Sequence, residues 1–330
     1  MLLQSSHLFF ATNTQQIPEQ ILQSHRNMGL KFSFVPIVDA INRRSFTAAG
    51  LRRYSVSVDP DTTIQCWLPP SFSKPPLLLL HGFGTPATWQ WRSQIRPLSR
   101  HFDLIVPDLI FFGGSTTLSP ERSEKFQAAA MVALLAKLEI SSKVAGVVGT
   151  SYGGFVAYHV AKMMGQAWVG KVVIASSDLG KTEEDDRAMR ERAGGVHSVE
   201  EIMLPTTAAS LRRLLQLVFH RPPLFMPDFV LRDFVRNIFK EKLEEKKELL
   251  KAITLGNKDL FQLTALPQDV LIIWGEHERL FPLNKAYELK KKLGENAKLE
   301  VLKNTGHVPQ LEDPKQFNKV LLSFLLGNTE

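Results

Sequence analysis

Brief apolar runs, each too short to be a helix, recur along this chain and alternate with segments of helical spacing. No other feature restricts the fold as much. A strand, a helix and a second strand close as a right-handed crossover, so repetition of the unit builds a mostly parallel sheet with helices on both faces. The strongest run is Leu77–Leu80, four leucines between Pro75-Pro76 and His81-Gly82, a pattern that suits a strand buried on both sides. Asp103–Val106, stopped by Pro107-Asp108, is a second strand. Val144–Val148, Lys171–Ser176, Val270–Trp274 and Lys298–Leu302 follow. Ahead of them, Tyr54–Val58 and Thr63–Leu68 flank Asp59-Pro60-Asp61 and read as a hairpin. Helical spacing is expected over 121–139, from the turn after Val148 to about Met164, and over 284–293 and 314–326. The fold class is therefore α/β.

Between Asp178 and Ala265 the alternation lapses into helical patterns alone. Leu211, Leu214, Leu215 and Val218 make one apolar stripe; Val230, Leu231, Phe234, Val235 and Ile238 make another. Residues 179–265 thus read as a helical insertion in a core formed by 50–178 and 266–330. Such an insertion serves either as a packing subdomain or as a lid whose apolar inner face lines a pocket. The charge-alternating run 240–251 reads as a solvated helix face.

Residues 1–49 show weak periodicity and read as an N-terminal extension. Net charge is +7, and residues 1–56 carry six basic groups against two acidic ones. A basic front suits a membrane surface or an organelle address better than a nucleic-acid groove. Met28-Gly29-x-x-x-Ser33 fits an N-myristoylation signal if translation begins at Met28; residues 1–27 read alternatively as a transit peptide. A lone cysteine, Cys66, excludes an internal disulfide and a cysteine zinc cluster, and fits a reducing compartment. No run of about 18 apolar residues is present to span a bilayer. The expected location is cytoplasmic or peripheral to a membrane.

The chemistry concentrates at Gly149-Thr150-Ser151-Tyr152-Gly153-Gly154, which follows a strand and opens a helix. A serine on so sharp a turn has its hydroxyl pushed clear of the backbone, and the flanking glycines remove Cβ atoms that would clash. A phosphate-binding turn is the rival reading, but the spacing of a dinucleotide fingerprint and the lysine of a P-loop are both missing. Serine needs a base. His307, in Asn304-Thr305-Gly306-His307-Val308-Pro309, follows the last strand and so lies at the carboxyl edge of the sheet, the same edge as Ser151. The base in turn needs a carboxylate. Glu278, four residues past the strand ending at Trp274, is the candidate, with Glu276 and Asp178 as rivals. Electrophilic help would come from the backbone N–H groups of Phe83, in His81-Gly82-Phe83-Gly84, and of Tyr152. His81 reads as a structural hydrogen-bonding residue.

The order Ser151, acid, His307 leads to a family. With His81-Gly82-Phe83-Gly84, Val106-Pro107-Asp108-Leu109, Ile273-Trp274-Gly275-Glu276-x-Glu278-x-x-x-Pro282 and Gly306-His307 before Glu312-x-Pro314-x-x-Phe317, the chain resembles the α/β-hydrolase superfamily over roughly residues 50–327. Within it, Pro107-Asp108-Leu109-Ile110-Phe111-Phe112-Gly113-Gly114-Ser115 and Met28-Gly29-Leu30-Lys31-Phe32-Ser33-Phe34 resemble the plant monoacylglycerol-lipase-like hydrolases. The resemblance implies serine-ester hydrolysis without cofactor or metal, on a small-molecule or lipid ester. It carries the nucleophile to Ser151, the base to His307 and the oxyanion donors to Phe83 and Tyr152. One departure is Glu278, where the family usually has Asp. Two other readings share the fold: a ligand receptor with slow or no turnover, and an acyltransferase.

Overall fold

The structure is a computed structural model that describes residues 33–327, apart from 141, 224, 256, 258 and 259. Nine strands form one sheet: β1 (Arg52–Ser57), β2 (Thr62–Leu68), β3 (Pro76–Leu80), β4 (Asp103–Pro107), β5 (Thr116–Thr117), β6 (Val144–Thr150), β7 (Val169–Ala175), β8 (Asp269–Gly275) and β9 (Ala297–Leu302). Their order is β1-β2-β4-β3-β6-β7-β8-β9, with β5 beside β2. The β1–β2 hairpin and its join to β4 are antiparallel; pairings from β4 through β9 are parallel. Every strand expected from the apolar runs is present.

The leucine strand shows how the sheet is held. Leu78 and Leu80 face one core, Leu77 and Leu79 the other, because side chains alternate along a strand. The first core is closed by helices α2 (Glu124–Lys137) and α3 (Tyr152–Trp168), the second by α10 (Pro314–Leu326) through Phe317, Leu321 and Leu325. All four leucines are fully buried. Each contributes about 1.5–3 kcal/mol by leaving water.

Among the described residues no strand lies between β7 and β8. That stretch holds α4 (Glu183–Arg192), α5 (Val199–Met203), α6 (Ala208–Val218), α7 (Asp228–Phe234) and α8 (Leu243–Lys251); α9 (Asn284–Leu293) follows β8. Thr182, Ser198 and Thr207 cap α4, α5 and α6 by accepting from backbone N–H groups of the first turn. Both apolar stripes face inward, with Leu211, Leu214, Leu231, Val235 and Ile238 buried.

Two features differ from the sequence reading. Residues 35–48, where periodicity is weak, form helix α1 (Val35–Ala48), whose Val35, Asn42 and Phe46 are buried. Its cap comes from 200 positions away: the Asp233 carboxylate accepts from Ser33 Oγ (2.8 Å) and from the N–H groups of Phe34 (2.8 Å) and Val35 (3.1 Å). No local pattern can announce such a cap. The run 240–251 is not wholly a solvated face either. Lys246 is buried, donates to the Ile238 carbonyl (3.0 Å) and lies over the Phe112 ring, while Glu248 pairs with Arg122. Burial pushes the Lys246 ammonium down to about 8. A π-helical turn, Val235–Phe239, directly precedes the run.

Residues 1–27 and Met28-Gly29 lie outside the described residues. No described helix is long and apolar enough to cross a membrane.

Candidate active site

Ser151 sits at the junction of β6 and α3 with φ 52° and ψ −124°, a region that an L-residue occupies only when its surroundings enforce it. The enforcement is visible. Its N–H donates to the Ala175 carbonyl of β7 (2.8 Å), and its own carbonyl accepts from Gly154 N–H (2.8 Å) and Ser177 Oγ (2.6 Å). The turn is so tight that a Cβ on Gly149 would lie 2.1 Å from the Gly153 carbonyl oxygen. A Cβ on Gly153 would lie 2.3 Å from that of Leu80 and 2.5 Å from that of His81. These neighbours are backbone and cannot swing aside. Gly153→Ala is therefore expected to cost at least the upper end of roughly 1–3 kcal/mol of stability, read as a lowered midpoint in urea unfolding; a wild-type midpoint would show that the elbow is looser than described.

The structure brings Ser151, His307 and Glu278 together. His307 Nε2 is 2.9 Å from Ser151 Oγ, and His307 Nδ1 is 2.6 Å from Glu278 Oε2. A carboxylate has only acceptors, so Nδ1–H donates to Glu278, and Nε2 is left to accept from the serine hydroxyl. The other Glu278 oxygen accepts from Leu280 N–H (2.7 Å) and Phe281 N–H (3.3 Å), which fixes the carboxylate in its turn. The extra methylene of Glu is thereby accommodated. All three residues are buried. The histidine is held by packing too: the Phe281 ring meets it edge-on at 5.5 Å, and its N–H donates to the Val218 carbonyl at the end of α6 (2.8 Å).

Neither rival carboxylate is engaged with His307. Glu276 accepts from Asn304 N–H and faces His277. Asp178 accepts from Gly180 N–H and lies 3.8 Å from Lys285; burial pushes its carboxyl up to about 6.

Phe83 and Tyr152 lie side by side at the same edge, their rings edge-to-face at 5.9 Å. Tyr152 opens α3, where helix geometry leaves the first N–H groups without an internal acceptor. The loop bearing Phe83 is pinned by two residues. Gln90 accepts from Gly82 N–H and donates to the carbonyls of Gly82 and Thr85, each at 2.8 Å. His81 Nε2 accepts from Leu109 N–H (2.9 Å), so its Nδ1 carries the proton and donates to the Gly82 carbonyl (2.7 Å). Burial pushes this imidazole down to about 4, which keeps it neutral and matches a structural role.

Sequence reasoning did not assign roles to Gln90 or Glu312. Gln90 lies in a four-residue helix with no motif to mark it. Glu312 accepts from Gly306 N–H and His220 N–H, tying the histidine loop to the helical insertion. Its place in the phrase Glu312-x-Pro314-x-x-Phe317 was the available signal.

The chain is similar to several known proteins. Bovine monoacylglycerol lipase ABHD6 is 26% identical over 269 residues, covering 76% of this chain and 75% of that protein. The pimeloyl-acyl-carrier-protein methyl ester esterase of Vibrio vulnificus is 28% identical over 253 residues, covering 76% and 94%. Among solved structures, a bacterial membrane phospholipase A superposes with a TM-score of 0.75 at 21% identity, over 94% of this chain and 98% of its own; this likeness speaks to fold alone. Fold, site and relatives together define a class, the carboxylic ester hydrolases. The chain belongs to the alpha/beta hydrolase fold family, whose sequence profile matches residues 75–314.

Proposed function

We propose that this chain cleaves carboxylic esters of the monoacylglycerol type through an acyl-enzyme on Ser151. The observation that carries the reading is the unbroken hydrogen-bond line from Glu278 through His307 to the Ser151 hydroxyl. In this scheme His307 Nε2 takes the hydroxyl proton as Oγ attacks the ester carbonyl. Phe83 and Tyr152 N–H groups stabilise the oxyanion, worth about 10²–10³ in rate per donor. Glu278 stabilises the imidazolium. The proton passes from His307 to the departing alcohol oxygen, and the C–O bond breaks. Water, deprotonated by the same imidazole, then attacks the acyl-enzyme and frees the acid and Ser151.

A lipid-like substrate is supported by the apolar inner stripes of the helical insertion and by relatives that include monoacylglycerol lipases. We read residues 179–265 as a lid on a core of 50–178 and 266–330, and place the enzyme in the cytoplasm or at a membrane surface. The Pro107–Ser115 phrase that resembles the plant enzymes supports the same substrate class. The test is fatty-acid release from a long-chain monoacylglycerol, with and without added alcohol. Release of free acid is expected. Transfer of the acyl group to the alcohol in preference to water would make the protein an acyltransferase. No release, with ligand-dependent stabilisation only, would make it a receptor.

A further inference from the structure

Helix α1 turns an apolar face outward. Val35, Asn42 and Phe46 are buried on its inner side, while Ile37 and Ile41, one turn apart, are each 47% exposed. The start of α1 is clamped to α7 by the Asp233 carboxylate, and the Phe34 ring lies 5.7 Å from that of Phe229. Phe229 is 56% exposed, and Phe225, in the preceding loop, 84%. Four large exposed apolar side chains thus flank the joint between α1 and α7.

Arginines border it. Arg44 lies three residues past Ile41, and Arg232 and Arg236 lie three and seven past Phe229, on the same side of the chain. Two acids, Asp228 and Asp233, are shared among three arginines, Arg212, Arg232 and Arg236, and on α1 Asp39 pairs with Arg43, so Arg44 and one arginine at α7 are in excess. Exposed apolar side chains bordered by an excess of positive charge are the pattern of a surface that sits in the headgroup region of an anionic bilayer.

We propose that α1 and the α7 end of the helical insertion form a docking face for an anionic phospholipid membrane. The choice of a bilayer over a protein partner rests on the lipid-ester reading above. The face is placed to matter for turnover. The Phe234 ring of α7 meets the Trp89 ring edge-on at 5.1 Å, and the Phe239 ring lies beside Gly84, next to Phe83. A docked molecule therefore holds against the bilayer the same segment that borders the oxyanion loop.

The experiment is co-sedimentation of the full chain with vesicles of phosphatidylcholine alone and of phosphatidylcholine with phosphatidylserine. Binding is expected to the anionic vesicles and to weaken as salt is raised. Ile37→Asp with Ile41→Asp should lower the partition coefficient on the order of tenfold or more. Arg44→Glu with Arg232→Glu should erase most of the preference for anionic lipid, about fivefold per charge. Both pairs should leave the melting temperature and the turnover of a soluble short-chain ester unchanged. The proposal is overturned if the wild-type chain does not sediment, or if the Asp pair binds as the wild type does. It is equally overturned if the chain is a dimer in solution that the Asp pair dissociates, since a second copy would then cover the face. Binding is read without turnover, so a chain that docks but cleaves no monoacylglycerol sinks the substrate reading and leaves the docking face standing.

Discussion

Ser151→Ala is expected to lower the turnover of a short nitrophenyl ester by on the order of 10⁵-fold while leaving the protein folded. The size follows from what the hydroxyl does. Removing it deletes the atom that forms the acyl bond, and the imidazole then has nothing to activate at 2.9 Å. A residual rate above that in water should survive, since Phe83 and Tyr152 N–H groups still meet a developing oxyanion. Stability should change little, because the hydroxyl's hydrogen bond is to His307 and alanine keeps the Cβ. Measuring initial rates beside a urea unfolding curve separates the two effects. Full activity in the alanine variant would mean that the ester is cleaved elsewhere.

Glu278→Gln is the second large effect, expected at about 10³–10⁴-fold in kcat. The amide matches the carboxylate in shape, and its oxygen can still accept from Leu280 and Phe281 N–H groups, so the loop should keep its form. What changes is the partner of His307 Nδ1. An amide NH₂ facing that nitrogen makes it an acceptor, which moves the ring proton to Nε2 and leaves Ser151 without a base. Glu278→Asp retains the charge but is shorter by one methylene, and its loss should fall between wild type and Gln. Glu276→Gln and Asp178→Asn should stay within a few-fold of wild type, because neither carboxylate touches His307. Near-complete loss in Asp178→Asn with little in Glu278→Gln would reassign the acid.

Much of this was legible in the residues because the sheet is encoded locally. A run such as Leu77–Leu80 has few alternatives to a doubly buried strand, and Gly149 and Gly153 are required by backbone approaches that any elbow of this kind imposes. Ser151 and His307 could be placed at one sheet edge from strand ends alone. The acid was harder. Glu278, Glu276 and Asp178 all follow strand ends, and only the fold of the 275–281 turn, closed by Glu278 N–H to the Gly275 carbonyl and by Trp274 Nε1 to that of Phe281, aims one of them at the imidazole. Helix α1 and the buried Lys246 were illegible for a shared reason. Each depends on a partner far away in sequence, Asp233 for the helix start and Phe112 for the ammonium. Gln90 escaped notice likewise, since its role exists only once the Gly82 turn has formed.

The most direct test of an activated serine is labelling with a fluorophosphonate probe, followed by mapping of the modified residue by mass spectrometry. One adduct is predicted, on Ser151, formed quickly in the wild-type chain and suppressed in His307→Ala. A folded protein whose Ser151 stays unmodified, or reacts as fast without the imidazole, would contradict the account.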